Sequence, residues 1–287
     1  MEENVFTVTP MSQRMTNLKP GETYEGLITI GVPVNSKKEF KLNFSVAPYG
    51  VSGEDYNADL ITESDRTQIV NWITIEESDM TIKPNERKEV HYKIKVPETA
   101  PAGGQYAAII VTEKPEKEKD EGVTVNNIFE MASLIYADVE GETVHEGEIL
   151  ENNISGFVTG APIMVGALVN NNGNIHESAT ITIEAKDFFT GAVIVGSDDV
   201  SGHYSELVMP ETTRRIEREI REGLPALGII HVEQKIDYNG KTSVEAKNVI
   251  ICPIWFLVLI IAVIASLVFV IIRIVRKHRK NKSELIA

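Results

Sequence analysis

The side chains equipped for chemistry in this 287-residue chain are six histidines, one cysteine and 42 acidic residues. Their spacing decides what they could do. His91, His145, His176, His203, His231 and His278 are scattered, and none sits in a His-Glu-x-x-His pair that would put two imidazoles on one helix face. Cys252 stands alone, so neither an internal disulfide nor a cysteine-pair zinc site can form. It reads as a plain membrane-facing thiol or an acylation point. The sequence has no Gly-x-Ser-x-Gly elbow and no Gly-x-x-x-x-Gly-Lys phosphate loop. Asp55-Tyr56-Asn57-Ala58-Asp59 imitates the opening of a calcium loop. Such a loop needs glycine at its sixth position and a bidentate glutamate at its twelfth, and here these are Leu60 and Arg66. The segment therefore reads as an acidic surface loop. No residue is assigned a catalytic, cofactor-binding or metal-ligating role, no cofactor is expected, and binding residues stay unassigned. The expectation is a chain that is not an enzyme.

The elements around these residues read as strands. Phe40, Leu42, Phe44 and Val46 alternate with Lys41, Asn43 and Ser45. Val90, Tyr92, Ile94 and Val96 alternate in the same way before Pro97. That period of two marks strands with one buried face. Thr23–Ile30, Gln105–Thr112, Ile128–Val139, Ile163–Val169, Ala179–Ala185, Ala192–Val195, Leu227–Tyr238 and Thr242–Ile250 read as further strands, and Ile69–Ile75 as another apolar run. Turn chemistry separates them: Lys19-Pro20-Gly21-Glu22, Pro101-Ala102-Gly103-Gly104, Asn170 to Asn174, Phe188 to Gly191, and Asn239-Gly240. Glu211–Arg221 suits a helix or a strand, because Ile216 and Ile220 are four apart, and its β neighbours favour a strand. The fold class expected is all-β: two tandem immunoglobulin-like β-sandwich domains followed by one transmembrane α-helix. Domain boundaries are placed at 1–141, with a solvated charged hairpin loop at 113–122, and at 142–248.

The last segment differs in kind. Residues 249–272 carry no charge, and 24 residues of helix span roughly 36 Å, enough to cross a bilayer core. Residues 273–287 form a basic tail with Arg273, Arg276, Lys277, Arg279, Lys280 and Lys282 against Glu284. Positive charge at a span end stays in the cytoplasm, so a single-pass membrane protein with an outside N-terminus is expected. Such a topology calls for a signal peptide, and Met1-Glu2-Glu3-Asn4 shows no apolar core for one. Either a leader has been removed or the start lies elsewhere. The net charge is −14 despite the basic tail, so the part before the span is more acidic still. That argues against a nucleic-acid partner. It serves solubility or docks a basic partner. The lack of disulfides leans toward a bacterial source.

Several segments together resemble the WxL-interacting protein family of bacterial surface proteins. They are Thr9-Pro10-Met11-Ser12-Gln13 with Leu18 to Glu22, the strand near Trp72, and Val96-Pro97 through Gly103-Gly104-Gln105-Tyr106. Later come Val169 to His176, Met209-Pro210 before Arg214-Arg215, and Tyr238-Asn239-Gly240. The resemblance implies that the first domain binds cell-wall peptidoglycan. It implies that the second contacts host or matrix proteins and WxL-bearing partners. The function expected is a membrane-anchored adhesin or scaffold binding peptidoglycan or surface proteins. The alternative is a membrane-tethered accessory or chaperone for the assembly of exported surface proteins.

Overall fold

A computed structural model describes residues 5–114, 129–197 and 202–284, with side chains as far as Arg276. The charged hairpin loop expected at 113–122 falls mostly on residues outside that set. In the first 140 residues the strands are β1 (Thr7–Thr9), β2 (Ser12–Leu18), β3 (Thr23–Gly31), β4 (Phe40–Pro48), β5 (Gly50–Ser52), β6 (Asn57–Asp59), β7 (Ile73–Ile75), β8 (Asp79–Ile82), β9 (Arg87–Lys95), β10 (Gly103–Glu113) and β11 (Glu130–Val139). They form a four-stranded sheet, β1-β3-β9-β7, and a five-stranded sheet, β2-β11-β10-β4-β8, while β5 and β6 make a separate ribbon. Ile28, Ile30, Tyr92 and Ile94 from the first sheet share one core with Leu42, Ile109, Val111 and Ile135 from the second. Two sheets burying their inner faces against each other make a sandwich, and strict alternation on β4 and β9 supplies those faces. Strand β10 is buried on both faces, which explains its unbroken Ala-Ala-Ile-Ile-Val run. Tyr92 lies across Gly26, its register partner, and a Cβ there would come within 2.2 Å of the tyrosine ring. The phenol donates to Gln13 Oε1 at 2.9 Å, and burial pushes its pKa up to about 12.

The remaining strands are β12 (Gly147–Ile154), β13 (Phe157–Val158), β14 (Ile163–Asn171), β15 (Glu177–Asp187), β16 (Val193–Val195), β17 (His203–Val208), β18 (Thr212–Ile220), β19 (Gly228–Tyr238) and β20 (Lys241–Ile251). A three-stranded sheet runs β12-β14-β18, and a six-stranded sheet runs β13-β20-β19-β15-β16 with β17 also on β15. The ambiguous stretch after Glu211 is a strand, with Ile216 and Ile220 buried on one face. Asn239 and Gly240 both have positive φ, at 46° and 70°, so β19 and β20 join through the tight turn that Asn-Gly favours.

The chain forms two compact units, and the division is not a single cut. The first comprises Met1–Glu148 with Val169–Ser178 and Leu207–Arg215. The second comprises Ile149–Leu168, Ala179–Glu206 and Ile216–Ala287. In the second unit Ile181, Ile183, Val232 and Ile236 of the larger sheet are buried, as are Ile154 and Val165 of the smaller one. Gln234 is buried there too, and its amide donates to Asn152 Oδ1 and Gly166 O, both at 2.9 Å.

The structure corrects the start of the apolar span. Val249, Ile250 and Ile251 are not helical but finish β20, paired with Ile230, Ile229 and Gly228. Their β-branched side chains suit a strand, and Pro253 then breaks the ladder. The helix α1 (Ile254–Glu284) starts immediately after that proline, whose carbonyl accepts from Phe256 and Leu257. Its stretch Ile254–Arg276 is long and apolar enough to cross a membrane. The helix continues through much of the basic tail expected at 273–287.

Candidate functional site

The segments that carried the resemblance lie far apart in sequence, yet three of them converge in the first unit. Gly103 takes φ +98°, a conformation that glycine adopts without strain. Gly104 N–H then donates to Asn174 O at 2.8 Å. Asn174 reaches the other way, with Oδ1 accepting from Val144 N–H at 2.8 Å and its amide donating to Glu142 O at 2.9 Å. Two residues on, the Tyr106 hydroxyl accepts the His176 backbone N–H at 3.1 Å and lies 3.1 Å from His176 Nδ1. Strand register places Tyr106 opposite Tyr136, and the rings of Tyr49, Tyr106, Tyr136 and His176 meet edge to face at 5.6–5.8 Å. Burial raises the pKa of both Tyr106 and Tyr136, so both are neutral phenols at physiological pH.

The third segment packs beside them. Tyr56, at φ 58°, accepts the Met209 N–H at 2.8 Å on its hydroxyl and pairs with the Thr212 hydroxyl. Arg214 lies over the Tyr56 ring, 4.6 Å from its centroid. Arg215 pairs with Glu54. Arg66 holds Glu211 Oε1 through two nitrogens at 3.1 and 3.2 Å. Between these groups lies a cleft of about 210 Å³ lined by Tyr49, Thr62, Ser64, Arg66, Glu211 and Thr212 among others. Its hydroxyls, aromatic edge and fixed ion pair are equipped to hold a polyhydroxylated ligand.

The calcium-like segment is also here, and two of its side chains, Tyr56 and Asp59, are otherwise engaged. The Thr62 hydroxyl donates to the Asp59 carboxylate, and Asp59 Oδ1 accepts the Thr62 and Ile61 N–H groups at 3.0 and 2.9 Å; together these donors hold its carboxyl below the usual range. Arg66, at the position where a calcium loop needs glutamate, is the partner of Glu211. Among the described residues no group of histidine, cysteine, aspartate and glutamate could hold a metal ion. The histidines stay dispersed. His91 lies 3.7 Å from Glu89, His145 pairs with Glu177, His203 lies 3.1 Å from the Thr182 hydroxyl and His231 2.8 Å from Asn248 Oδ1. The side chain of His278 is outside the described set. Among the described residues only His176 joins a cluster, and no local spacing announces it, because its partners are 38 and 70 residues away.

His176 and Asp138 lie 3.8 Å apart and are both largely buried. Desolvation dominates both: it lowers the imidazole pKa against the pull of the carboxylate, and it raises the carboxyl pKa against His176 and Arg14. The imidazole thus resists protonation in the fold while the unfolded one accepts a proton near 6.5. Stability present above that pH is lost as the pH falls through and below it. Asp138 acts in the opposite sense, from its unfolded value of 3.8 upward. The melting temperature is expected to be lower at pH 5.5 than at pH 7.5. His176→Gln should flatten that dependence, and an equal slope in the variant would remove His176 as its source.

The second unit has an opening of its own. Strand β18 ends the three-stranded sheet and β16 ends the six-stranded one. A groove of about 440 Å³ lies there, with Ile183, Ile194, Val195 and Ile220 on its walls and Arg218, Glu219, Arg221 and Glu222 around them. Arg218 is tied to Glu206 and stacks on Tyr204 at 4.3 Å.

No family model matches the chain, and no curated protein does. Solved structures similar to it include the class 5 fimbriae chaperone CfaA, at 13% identity over 85% of this chain and 99% of that one, with a TM-score of 0.40. The E. coli chaperone DraB matches at 11% identity over 85% and 96%, with a TM-score of 0.39. The CsuC–CsuE chaperone–tip adhesion subunit pre-assembly complex of Acinetobacter baumannii matches at 13% over 85% and 98%, with a TM-score of 0.40.

Proposed function

We propose that this chain is a non-enzymatic, single-pass membrane protein whose sandwiches stand outside the cell and whose second unit holds an extended segment of an exported partner. It would act as a tethered accessory in the assembly of surface proteins. The observation that carries this reading is the groove between the terminal strands β16 and β18, with its apolar walls and charged surround. An end strand offers unpaired backbone donors and acceptors, and pockets beside it select alternate side chains of an added strand. The orientation rests on Arg273, Arg276, Lys277, Arg279, Lys280 and Lys282 following the apolar stretch.

The cleft of the first unit favours a second reading: an adhesin or scaffold that binds peptidoglycan, as the WxL-interacting resemblance implies. Tyr49 and Ser64 on its wall offer an aromatic edge and a hydroxyl of the kind that saccharides take.

One experiment weighs both. A photo-crosslinking residue at Glu219 in native cells is expected to give adducts with exported proteins, and the same residue at the exposed Glu148 is not. Ile194→Arg should abolish the adducts by filling the groove. Adducts no more abundant at 219 than at 148 would remove the strand-holding reading. Co-sedimentation of the full chain with purified peptidoglycan, lost in Tyr49→Ala, would favour the second.

A further inference from the structure

We propose that the end of the second unit nearest the helix is a membrane-contact face, with the Phe188-Phe189 turn inserted among the lipid headgroups of the outer leaflet. This rests on the reading of α1 as a membrane span.

The apolar stretch from Ile254 to Ile272 is about 28 Å of helix, nearly the whole thickness of a bilayer's hydrocarbon core. The hydrocarbon boundary therefore falls close to Ile254. Only Cys252 and Pro253 separate that residue from the last residue of β20, Ile251. Three Cα steps reach at most roughly 11 Å, little more than the headgroup layer itself. No spacer lifts the sandwich clear of the membrane.

The sheet end at that boundary is apolar and exposed. Phe157 pairs with Ile250 on one side of β20, and Ile229 pairs with Ile250 on the other. Phe188 N–H donates to Ile229 O at 3.0 Å, bringing in the turn after β15. Strands about 4.8 Å apart place these residues in a row roughly 15 Å wide. Phe157, Ile250, Leu227, Phe188 and Phe189 are 51%, 46%, 43%, 51% and 74% exposed. Trp255, 64% exposed, is the second residue of the helix that follows.

The turn is built to project its aromatics. Asp187 Oδ1 accepts the Phe189 and Thr190 N–H groups at 3.1 and 2.8 Å and the Thr190 hydroxyl at 2.8 Å. Gly191, at φ +71°, lets the chain return. The carboxylate is consumed inside the turn, and two phenylalanines in edge-to-face contact stand outside it. Aromatic rings with apolar neighbours prefer the headgroup level of a bilayer. Continuity with the span makes lipid the occupant, because the bilayer surface is where this face already is.

Nitroxide labels placed singly on a Cys252→Ser background, in the full chain in phosphatidylcholine–phosphatidylglycerol nanodiscs, test this. The sites are Phe189→Cys, Ile264→Cys within the span and Lys241→Cys at the far end of β20, about 34 Å from Ile251. Collision with oxygen relative to a water-soluble nickel chelate reports depth. The expected order is 264 above 189, with 189 several-fold above 241. A lipid-exposed 264 with 189 equal to 241 would overturn the contact face and leave the span standing. A water-exposed 264 would overturn the span and the face together. Exposed label sites leave the fold intact, so either outcome is readable.

Discussion

Ending the chain after Pro253 is expected to move the protein from the membrane fraction to the washable, soluble one while its β-sheet circular dichroism stays unchanged. The size of the effect follows from the helix. Nineteen uncharged residues from Ile254 to Ile272, most of them Ile, Val, Leu or Phe, favour insertion by on the order of 5–10 kcal/mol at a few tenths of a kcal/mol each. Nothing else in the chain approaches that. The sandwich should survive the cut because Val249 and Ile251 stay buried and β20 keeps its full pairing with β19. From Val258 to Arg276 the helix side chains are exposed to their surroundings, so removing them empties no core. The phenylalanine turn adds only interfacial affinity, which washing reverses. Fractionation with and without carbonate, run beside circular dichroism, checks both halves. A truncated chain that resists the wash would mean that α1 is not the anchor. A truncated chain that unfolds would mean that the helix supports the sandwich.

How far the sequence reveals this architecture depends on what each strand buries. Strands β4, β9 and β15 bury one face and alternate visibly. Strand β10 buries both and shows an apolar run of strand length. Strands β1, β5, β6, β8 and β13 have two to four residues, too few for a period to register. Strands β2 and β12 lie at sheet ends, where half-exposed polar residues hide the alternation. The run Ile69–Ile75 reads as one largely apolar segment but splits into a 3-10 turn and β7. The split has a distant cause: the buried amide of Gln105 accepts the Ile69 N–H at 3.2 Å and donates to Asp65 O at 2.8 Å. At 249–251 hydrophobicity alone cannot separate a strand from a membrane span, although Val-Ile-Ile before a proline carries the distinction. The Tyr106–His176 cluster shows the same limit. Both residues lie in recognised segments, but their meeting depends on register and turns spread over 70 residues.

Gly104→Ala is the substitution that tests that cluster most sharply, and it is expected to cost about 3 kcal/mol or more. An added Cβ would lie 2.0 Å from the Tyr106 hydroxyl and 2.6 Å from its ring. The ring has nowhere to retreat: it is 1% exposed, fixed at its oxygen by His176 and flanked by Tyr136. Either the tyrosine leaves its place or the strand shifts, and both separate His176 from Tyr106. At roughly 2–4 °C for each kcal/mol in a domain of this size, the melting temperature should fall by about 6–12 °C. Two other glycines calibrate the result. Gly160→Ala meets nothing within 4 Å and has no positive φ, so it should be nearly silent. Gly240→Ala also meets nothing but keeps φ +70°, so it should cost only backbone strain of about 1 kcal/mol. Adding Tyr106→Phe to Gly104→Ala removes the closest atom and should restore part of the loss, although the hydrogen bond to His176 goes with it. That partial rescue is non-additivity between neighbours, which a global weakening of the fold would not give. If Gly104→Ala melts with Gly160→Ala, the tyrosine is not held where its hydrogen bonds place it.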